Sequence, residues 1–201
     1  MAGTSFYLTS IQLLVSLAIA IIVKSVSSAP VSLVSSGSIN TNSVSSMAKI
    51  IAEEAGELYE QLCATPNLCG SSMERSLKVE LKLPEITDKC LSKEFNKEQC
   101  LHEIHRDLLR FETYFKFLKE TLKSEGEKLA SIQRQTKTLA EAVKKMENNP
   151  NEEEVDTNTS ISVEDLHSKD AWNEKLTTYL ILQSFKDYMI KTTRAIRNSS
   201  I

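Results

Sequence analysis

The stretch AWNEKLTTYLILQSFKDYMIKTTRAIR, residues 171–197, predicts the helix around which the rest of the chain is organised. Side chains that recur at steps of three and four residues lie on one face of a helix. In this stretch they are Leu182, Phe185, Met189, Thr193 and Ile196. The run Tyr179-Leu180-Ile181-Leu182 is apolar on every side, which indicates a deeply buried middle. Lys191 and Arg194 lie away from that face and Arg197 on its flank, so the last turns offer a cationic surface suited to binding another protein.

Composition favours a single helical domain. The chain has 201 residues, which is enough for one domain with a substantial core. Glycine and proline are scarce, at 5 and 4 residues, and long alternation of polar and apolar residues is absent. Both features favour an all-α fold. The formal net charge of −3 offers no concentrated basic face, so we expect no nucleic-acid partner.

The N-terminus has the pattern of a secretory signal peptide. An apolar run over residues 13–23, with one serine, is followed by the small residues 25–29. The run is shorter than the ~20 residues that cross a bilayer, and an N-terminal anchor helix is the alternative. We expect a signal peptide over residues 1–29 and a secreted, extracellular chain without stable membrane insertion. A flexible arm rich in serine and asparagine would follow over residues 30–43.

Secretion changes the interpretation of the four cysteines, which are Cys63, Cys69, Cys90 and Cys100. An even number of cysteines in a secreted helical domain favours disulfides over free thiols or metal ligands. Four cysteines allow three connectivities, and we expect the local one, which pairs Cys63 with Cys69 and Cys90 with Cys100. Zinc prefers close C-x-x-C pairs or several histidines, and the sequence has neither in a convincing set. We therefore expect no metal and no cofactor.

Three further helical patterns precede the last helix. Residues 44–62 repeat apolar side chains at helical steps, and residues 101–122 do so at steps of three and four without a break. The third pattern covers residues 129–146. A tight turn separates the second and third patterns, and Ser124 and Glu127 fit a capping box there. Helices joined by so short a turn are antiparallel neighbours.

The other connections are long. Residues 64–96 suffice to return the chain to the opposite end of a bundle, and residues 148–160 are acidic, polar and interrupted by Pro150. We expect the fourth helix to begin between Val163 and Ala171. Two long crossovers around one tight turn predict a long-chain four-helix bundle over residues 44–201, with up-up-down-down topology and two small disulfide loops.

Four motifs stand in a characteristic order: the cysteine spacing C-x5-C then C-x9-C, FNKEQCL at residues 95–101, LLRFETYFKFL at 108–118, and LILQSFKDY at 180–188 followed by RAIR at 194–197. Together they resemble the interleukin-6 / granulocyte colony-stimulating factor family of long-chain helical cytokines. The resemblance covers nearly the whole chain after the predicted signal and is weakest before Cys63. Trp172 and the FN pair at 95–96 favour the interleukin-6 branch.

The resemblance implies a secreted cytokine that binds a specific α receptor and then crosslinks a shared signal-transducing receptor, activating JAK/STAT signalling in immune, acute-phase and inflammatory responses. The implied α-receptor surface consists of Ile190, Lys191, Arg194, Arg197, Leu91 and Phe95. The implied shared-receptor surfaces consist of Trp172 and, on the first and third helices, Ile50, Glu54, Gln135 and Thr138. Ile50, Glu54 and Leu91 replace the Tyr, Gly and Phe that this family often has at those places.

Several of these residues have a purely structural alternative. Arg194 and Arg197 could complement the negative end of the helix dipole, which is worth ~0.3–1 kcal/mol for each charge. Trp172 is the single tryptophan and could be a core residue in line with Leu176 and Tyr179. Each alternative is decided by whether the side chain is exposed and by what lies beside it.

Rival functions and modifications complete the expectations. A granulocyte colony-stimulating factor-like haematopoietic growth factor is one rival, and a secreted lipid-binding helical protein is another. No phosphate loop, nucleophile elbow or H-E-x-x-H motif occurs in the sequence, so we expect no enzyme. Glycosylation sequons begin at Asn158 and Asn198. Asn198 lies beside Arg197, where a glycan would obstruct a receptor.

Overall fold

The computed structural model describes residues 40–64, 77, 80–92, 96–148 and 161–199, and within them every regular element is a helix. The α-helices are α1 (Thr41–Cys63), α2 (Lys97–Thr121), α3 (Gly126–Lys144), α4 (Val163–Leu166) and α5 (Ala171–Asn198). Short 3-10 helices cover Asp88–Leu91 and Lys123–Glu125. α1 packs mainly on α5, and α2 packs mainly on α3. The predicted all-α four-helix bundle is confirmed, with α1, α2, α3 and α5 as its four long helices.

α1 begins at Thr41, three residues before the predicted apolar pattern. Its cap explains the earlier start, because the side chain of Asn40 accepts a hydrogen bond from the backbone amide of Asn42 at 3.0 Å. The predicted face is buried at Val44, Ile51, Ala55 and Leu58, and partly buried at Met47 and Leu62.

Aromatic side chains of α2 and α5 interlock in the centre of the bundle. Phe185 makes edge-to-face contacts with Phe111 and Phe115, with ring centroids 4.9 Å apart in both pairs. All three rings are almost completely buried. Such pairs add ~0.5–1.5 kcal/mol beyond the burial of their area. The regular seam predicted for residues 101–122 is therefore the side of α2 that holds the bundle together.

The turn between α2 and α3 contradicts the predicted capping box. Glu125 is the N-cap of α3, and no side chain caps that helix end. Instead, the 3-10 helix Lys123–Glu125 leads directly into α3. The amide of Gly126 donates to the carbonyl of Lys123. A backbone carbonyl therefore satisfies an amide at the start of α3, in place of a side-chain cap from Ser124.

A capping box does occur before the last helix. The Ser162 hydroxyl accepts from the Asp165 amide at 3.2 Å, and the Asp165 carboxylate accepts from the Ser162 amide at 3.2 Å. This box starts α4, and an extended residue, His167, ends it. α5 then begins at Ala171, where the Asp170 carboxylate accepts from the Trp172 amide at 3.2 Å. The predicted start between Val163 and Ala171 is thus two elements rather than one helix.

The disulfide between Cys90 and Cys100 is confirmed, with an S–S distance of 2.05 Å. It joins the 3-10 helix Asp88–Leu91 to the first turn of α2. Cys63 is also disulfide-bonded. Its expected partner Cys69 lies outside the described residues, as do the predicted signal peptide and residues 30–39 of the predicted arm.

The helices belong to one compact unit, Ser38–Ile201. Among the helices that the structure describes, none is both long and apolar enough to cross a membrane.

Candidate functional site

The last turns of α5 present both cationic and apolar side chains to solvent. Arg194 and Arg197 are exposed, and Lys191 is half-buried. Ile190 is 40% exposed, which is unusual for an isoleucine on a helix whose opposite face is closed into the core. Met189 and Ile196, in the same turns, are buried. The helical period therefore places one row of side chains in the core and the adjacent row, with Ile190, in solvent.

A groove of about 270 Å³ runs along this end of α5. Ile190, Lys191 and Arg194 line one wall, and residues 84–86 of the first crossover line the other. Glu85 and Asp187 also line the groove, so its charge is mixed rather than purely cationic.

The implied α-receptor residues of the first crossover lie partly within the described chain. The 3-10 helix Asp88–Leu91 packs against α5, and its buried residue is Cys90. Leu91 is half-buried at the end of this helix. The structure therefore places Leu91 on an element that contacts α5, whereas Phe95 lies outside the described residues.

Trp172 lies at the opposite end of α5 and is 39% exposed. Leu176 and Tyr179, with which the sequence aligned it, are fully buried. The exposed fraction of Trp172 excludes a role as an ordinary core residue. An indole that keeps this much area in water is available as an anchor for a partner.

A polar junction fixes the start of α5. The His167 ring lies between two carboxylates, with Nδ1 2.9 Å from Glu174 and Nε2 2.9 Å from Glu120. Its ring also packs edge-on against Phe117 at 5.0 Å. The hydrogen bonds to Glu174 and Glu120 raise the pKa of His167 above its ordinary value. One side chain thereby links α2 to the segment that leads into α5.

The face shared by α1 and α3 holds all four of the residues that the sequence predicted for it. Gln135 donates to the Glu54 carboxylate at 2.8 Å, which joins the two helices. Ile50 is one turn earlier on α1 and 49% exposed. Thr138 is exposed on the same side of α3, and its hydroxyl donates to the Arg134 carbonyl at 3.1 Å. Lys128 and Glu57, 2.8 Å apart, extend this contact beyond the predicted set.

Two polar clusters were not predicted as such. Asp107 is buried beside Arg110 at 3.3 Å and accepts from the Tyr188 hydroxyl at 3.5 Å. Burial raises the pKa of Asp107, and the guanidiniums of Arg106 and Arg110 oppose that rise. Asp107 and Arg110 lie beside the apolar positions that define the predicted pattern, so periodicity alone gives no signal for such a cluster.

The second cluster surrounds Glu147. Its carboxylate lies 3.7 Å from His102 Nδ1 and 3.8 Å from His105 Nδ1. Burial raises the pKa of Glu147, and His102 opposes that rise. Within the described part of the chain, no group of three His, Cys, Asp or Glu residues is arranged to hold a metal ion.

Comparison with known proteins shows the family to which the chain belongs. The family model described as "Interleukin-6/G-CSF/MGF family" matches residues 31–199. The chain belongs to this family. An interleukin-6 from Gallus gallus is 34% identical over 155 residues, which is 75% of this chain and 64% of that protein, so the chain spans less than two thirds of it. An interleukin-6 from Saimiri sciureus is 32% identical over 152 residues, covering 73% of this chain and 71% of that protein.

A solved structure of the same fold is a chain from the crystal structure of a cytokine/receptor complex. The two chains align with a TM-score of 0.64 at 20% identity, over 80% of this chain and 98% of that one. This interleukin-6/G-CSF/MGF membership confirms the family suggested by the four sequence motifs. The family is one of cytokines and not of enzymes, which also confirms that expectation.

Proposed function

We propose that this chain is a secreted interleukin-6-type cytokine. It binds a specific α receptor and then crosslinks the shared signal-transducing receptor, which activates JAK/STAT signalling in immune, acute-phase and inflammatory responses. Family membership supports this proposal, as does the structural likeness to a chain from a cytokine/receptor complex. The relatives from Gallus gallus and Saimiri sciureus carry the name interleukin-6, which favours that branch over a granulocyte colony-stimulating factor-like growth factor.

The single observation that carries the proposal is the placement of two different exposed surfaces at the two ends of α5. Trp172 and Arg197 are roughly 37 Å apart along the helix axis, at ~1.5 Å per residue. Both are exposed, while residues 176–182 between them are buried. Two receptor chains can therefore contact one cytokine without competing for the same area, which crosslinking requires.

The cationic end would bind the α receptor through Arg194, Arg197, Lys191, Ile190 and the Leu91–Phe95 region. Guanidinium groups form paired hydrogen bonds with carboxylates, and Arg is enriched among residues that dominate binding energy. A dipole role for these arginines is worth at most ~1 kcal/mol each and does not exclude receptor contacts.

The shared receptor would bind at two other surfaces, one around Trp172 and one across α1 and α3. The second includes Ile50, Glu54, Gln135 and Thr138. On this surface, the exposed Ile50 lies beside the hydrogen-bonded pair Gln135 and Glu54. An apolar centre with a polar border is typical of protein interfaces.

Secretion completes the proposal. The Cys90–Cys100 disulfide is typical of proteins matured in an oxidising compartment, which agrees with a signal peptide over residues 1–29. Of the two sequons, we expect a glycan at Asn158. We expect none at Asn198, because it is half-buried in the last turn of α5 beside Arg197.

Sequential capture tests the proposal. The oxidised, secreted protein is first incubated with an immobilised soluble α receptor, and the shared receptor ectodomain is then added. We expect the second receptor to be retained only when the cytokine is present. Failure of the immobilised α receptor to retain the cytokine, with the helical circular dichroism of the cytokine intact, would overturn the proposal. Tight binding to liposomes by the oxidised monomer would instead support the lipid-binding alternative.

A further inference from the structure

Side chains of α2 hold the segment 81–86, which has no helix or strand of its own. The Tyr114 hydroxyl donates to the carbonyl of Leu81 at 2.8 Å, with the carbonyl of Lys82 at 3.2 Å. Arg110 Nη2 also donates to the Lys82 carbonyl, at 3.3 Å. These bonds cross 28 to 33 positions of sequence, so they are tertiary anchors rather than turn bonds.

The backbone at this point needs such an anchor. Lys82 has a φ of 47°, the left-handed region that residues with a Cβ disfavour by roughly 1–2 kcal/mol. Among the described residues other than glycine, it alone has a positive φ. Tertiary contacts must therefore hold this conformation, and the carbonyls on the two sides of the Lys82 Cα, those of Leu81 and Lys82, are the ones that Tyr114 and Arg110 contact.

The anchor itself rests on rigid parts of the bundle. Tyr114 is 2% exposed, and its ring lies 5.8 Å from the Phe111 ring. Arg110 Nη1 donates to Asp107 at 3.3 Å, and Asp107 accepts from Tyr188 of α5. Burial raises the pKa of Tyr114 to about 12, so its hydroxyl remains a donor throughout the physiological range.

The anchored segment forms one wall of the groove at the cationic end of α5. Pro84, Glu85 and Ile86 line that wall, opposite Ile190 and Lys191. Pro84 and Ile86 are buried and fix the segment, whereas Glu85 is exposed. The bonds from Tyr114 and Arg110 of α2 end at Leu81 and Lys82, two residues before this wall, and neither α2 residue lines the groove itself.

We propose that Tyr114, assisted by Arg110, is a positioning residue for the α-receptor surface: it holds the wall formed by residues 84–86 at the distance from α5 that the receptor requires. This inference rests on the proposed function. If residues 84–86 are already in the binding-competent position, receptor binding loses little conformational entropy. If they occupy that position only part of the time, the apparent affinity falls in proportion to the occupied fraction.

Tyr114→Phe tests the role of the hydroxyl, because it keeps the buried ring and removes the donor. We expect α-receptor affinity to fall by about tenfold, the effect of a tenfold smaller binding-competent population. In the free protein, we expect amide hydrogen exchange to accelerate at residues 81–86 while α5 stays protected. Tyr59→Phe is the matched control, because it removes a hydroxyl that contacts the Tyr179 hydroxyl at 3.0 Å, away from this groove. We expect unchanged receptor affinity for that variant.

Parallel measurements separate failure of this inference from failure of the proposed function. If Arg197→Ala weakens α-receptor binding while Tyr114→Phe changes neither affinity nor exchange, the positioning role is wrong and the receptor surface stands. If the unaltered protein does not bind the α receptor, both fail together. If the Tyr114→Phe variant does not fold, Arg110→Lys is tested in its place. The lysine keeps a positive charge beside Asp107 but loses the guanidinium Nη2 that donates to the Lys82 carbonyl. For the inference to stand, this variant must show the faster exchange at residues 81–86 and the weaker receptor binding.

Discussion

The two ends of α5 are both exposed, but they are built differently. At the start, one indole carries the apolar area, and a histidine between two carboxylates fixes the segment that leads to it. At the end, the charge is distributed over Lys191, Arg194 and Arg197, and the facing wall comes from a distant part of the chain. The start therefore depends on one side chain and its junction, whereas the end depends on several charges and on the placement of a loop. Variants should separate these two dependencies.

The largest effect, on unfolding free energy, is expected from a substitution in the buried middle of α5, because the packing there holds both exposed ends in place. Phe185→Ala removes the ring that contacts Phe111 and Phe115. Truncation of a buried phenylalanine costs ~3–5 kcal/mol of unfolding free energy. We expect a loss of that size in urea unfolding, together with weaker binding at both ends. If this variant kept either its α-receptor affinity or its recruitment of the shared receptor unchanged, the surface at that end of α5 would not depend on the packing of Phe185.

Arg197→Ala should affect the cationic end alone. We expect α-receptor affinity to fall by at least ~2 kcal/mol, or roughly thirtyfold, as for a typical binding hot spot. The unfolding free energy should change by less than ~1 kcal/mol, because Arg197 is exposed and surface substitutions outside the core usually have small effects on stability. Titration calorimetry and thermal melting measure the two quantities.

The matched control for this variant is Lys116→Ala, which removes an exposed cation of α2 that belongs to none of the three surfaces. It should bind the α receptor normally. Equal affinity of Arg197→Ala and the unaltered protein would exclude the arginine from the α-receptor surface.

Trp172→Ala should affect the other end alone. We expect normal α-receptor affinity and a loss of about tenfold or more in recruitment of the shared receptor, because a large aromatic anchor is removed. Leu109→Ala is the control, since Leu109 is a comparably exposed apolar residue of α2, at 37% against 39%. The emission of Trp172 in the free protein gives an independent check: a blue-shifted, protected spectrum would contradict the exposed position.

The sequence predicts the interiors of the helices better than it predicts the helix ends. The seam of α2 and the buried middle of α5 were predictable, because a regular step of three and four residues has one structural solution. The capping box at Ser124 was wrong and the one at Ser162 was not anticipated. At a helix end, several nearby donors and acceptors compete, and the winner depends on the path of the chain.

The candidate surfaces show the same limit. The exposed arginines at the end of α5 could be placed from periodicity. The Gln135–Glu54 bond could not, because it depends on the register between two helices. The Tyr114 anchor left no signal either: its ring has the burial of a core residue, and its partners are backbone carbonyls, which every residue possesses.

The smallest expected effect is the pH dependence of the start of α5. The pKa of His167 is raised in the folded protein above the unfolded value of about 6.5. Its contribution to stability is therefore fully present below the unfolded pKa and is lost as pH rises through the folded pKa. The side chain is 38% exposed, so solvent screens both ion pairs and the effect on unfolding should be small.

Trp172 is close enough in sequence to report this change locally, as the single tryptophan of the chain. We expect its emission to shift as pH rises, with a midpoint above the ~6.5 of a free histidine. His167→Asn should flatten that profile, whereas His102→Asn, beside Glu147 and far from this junction in sequence, should leave it unchanged. The α-receptor affinity should follow neither profile, because guanidinium groups keep their charge over this range. A parallel pH response at both ends would mean that the His167 junction acts on the whole of α5, and the two surfaces would then be coupled rather than independent.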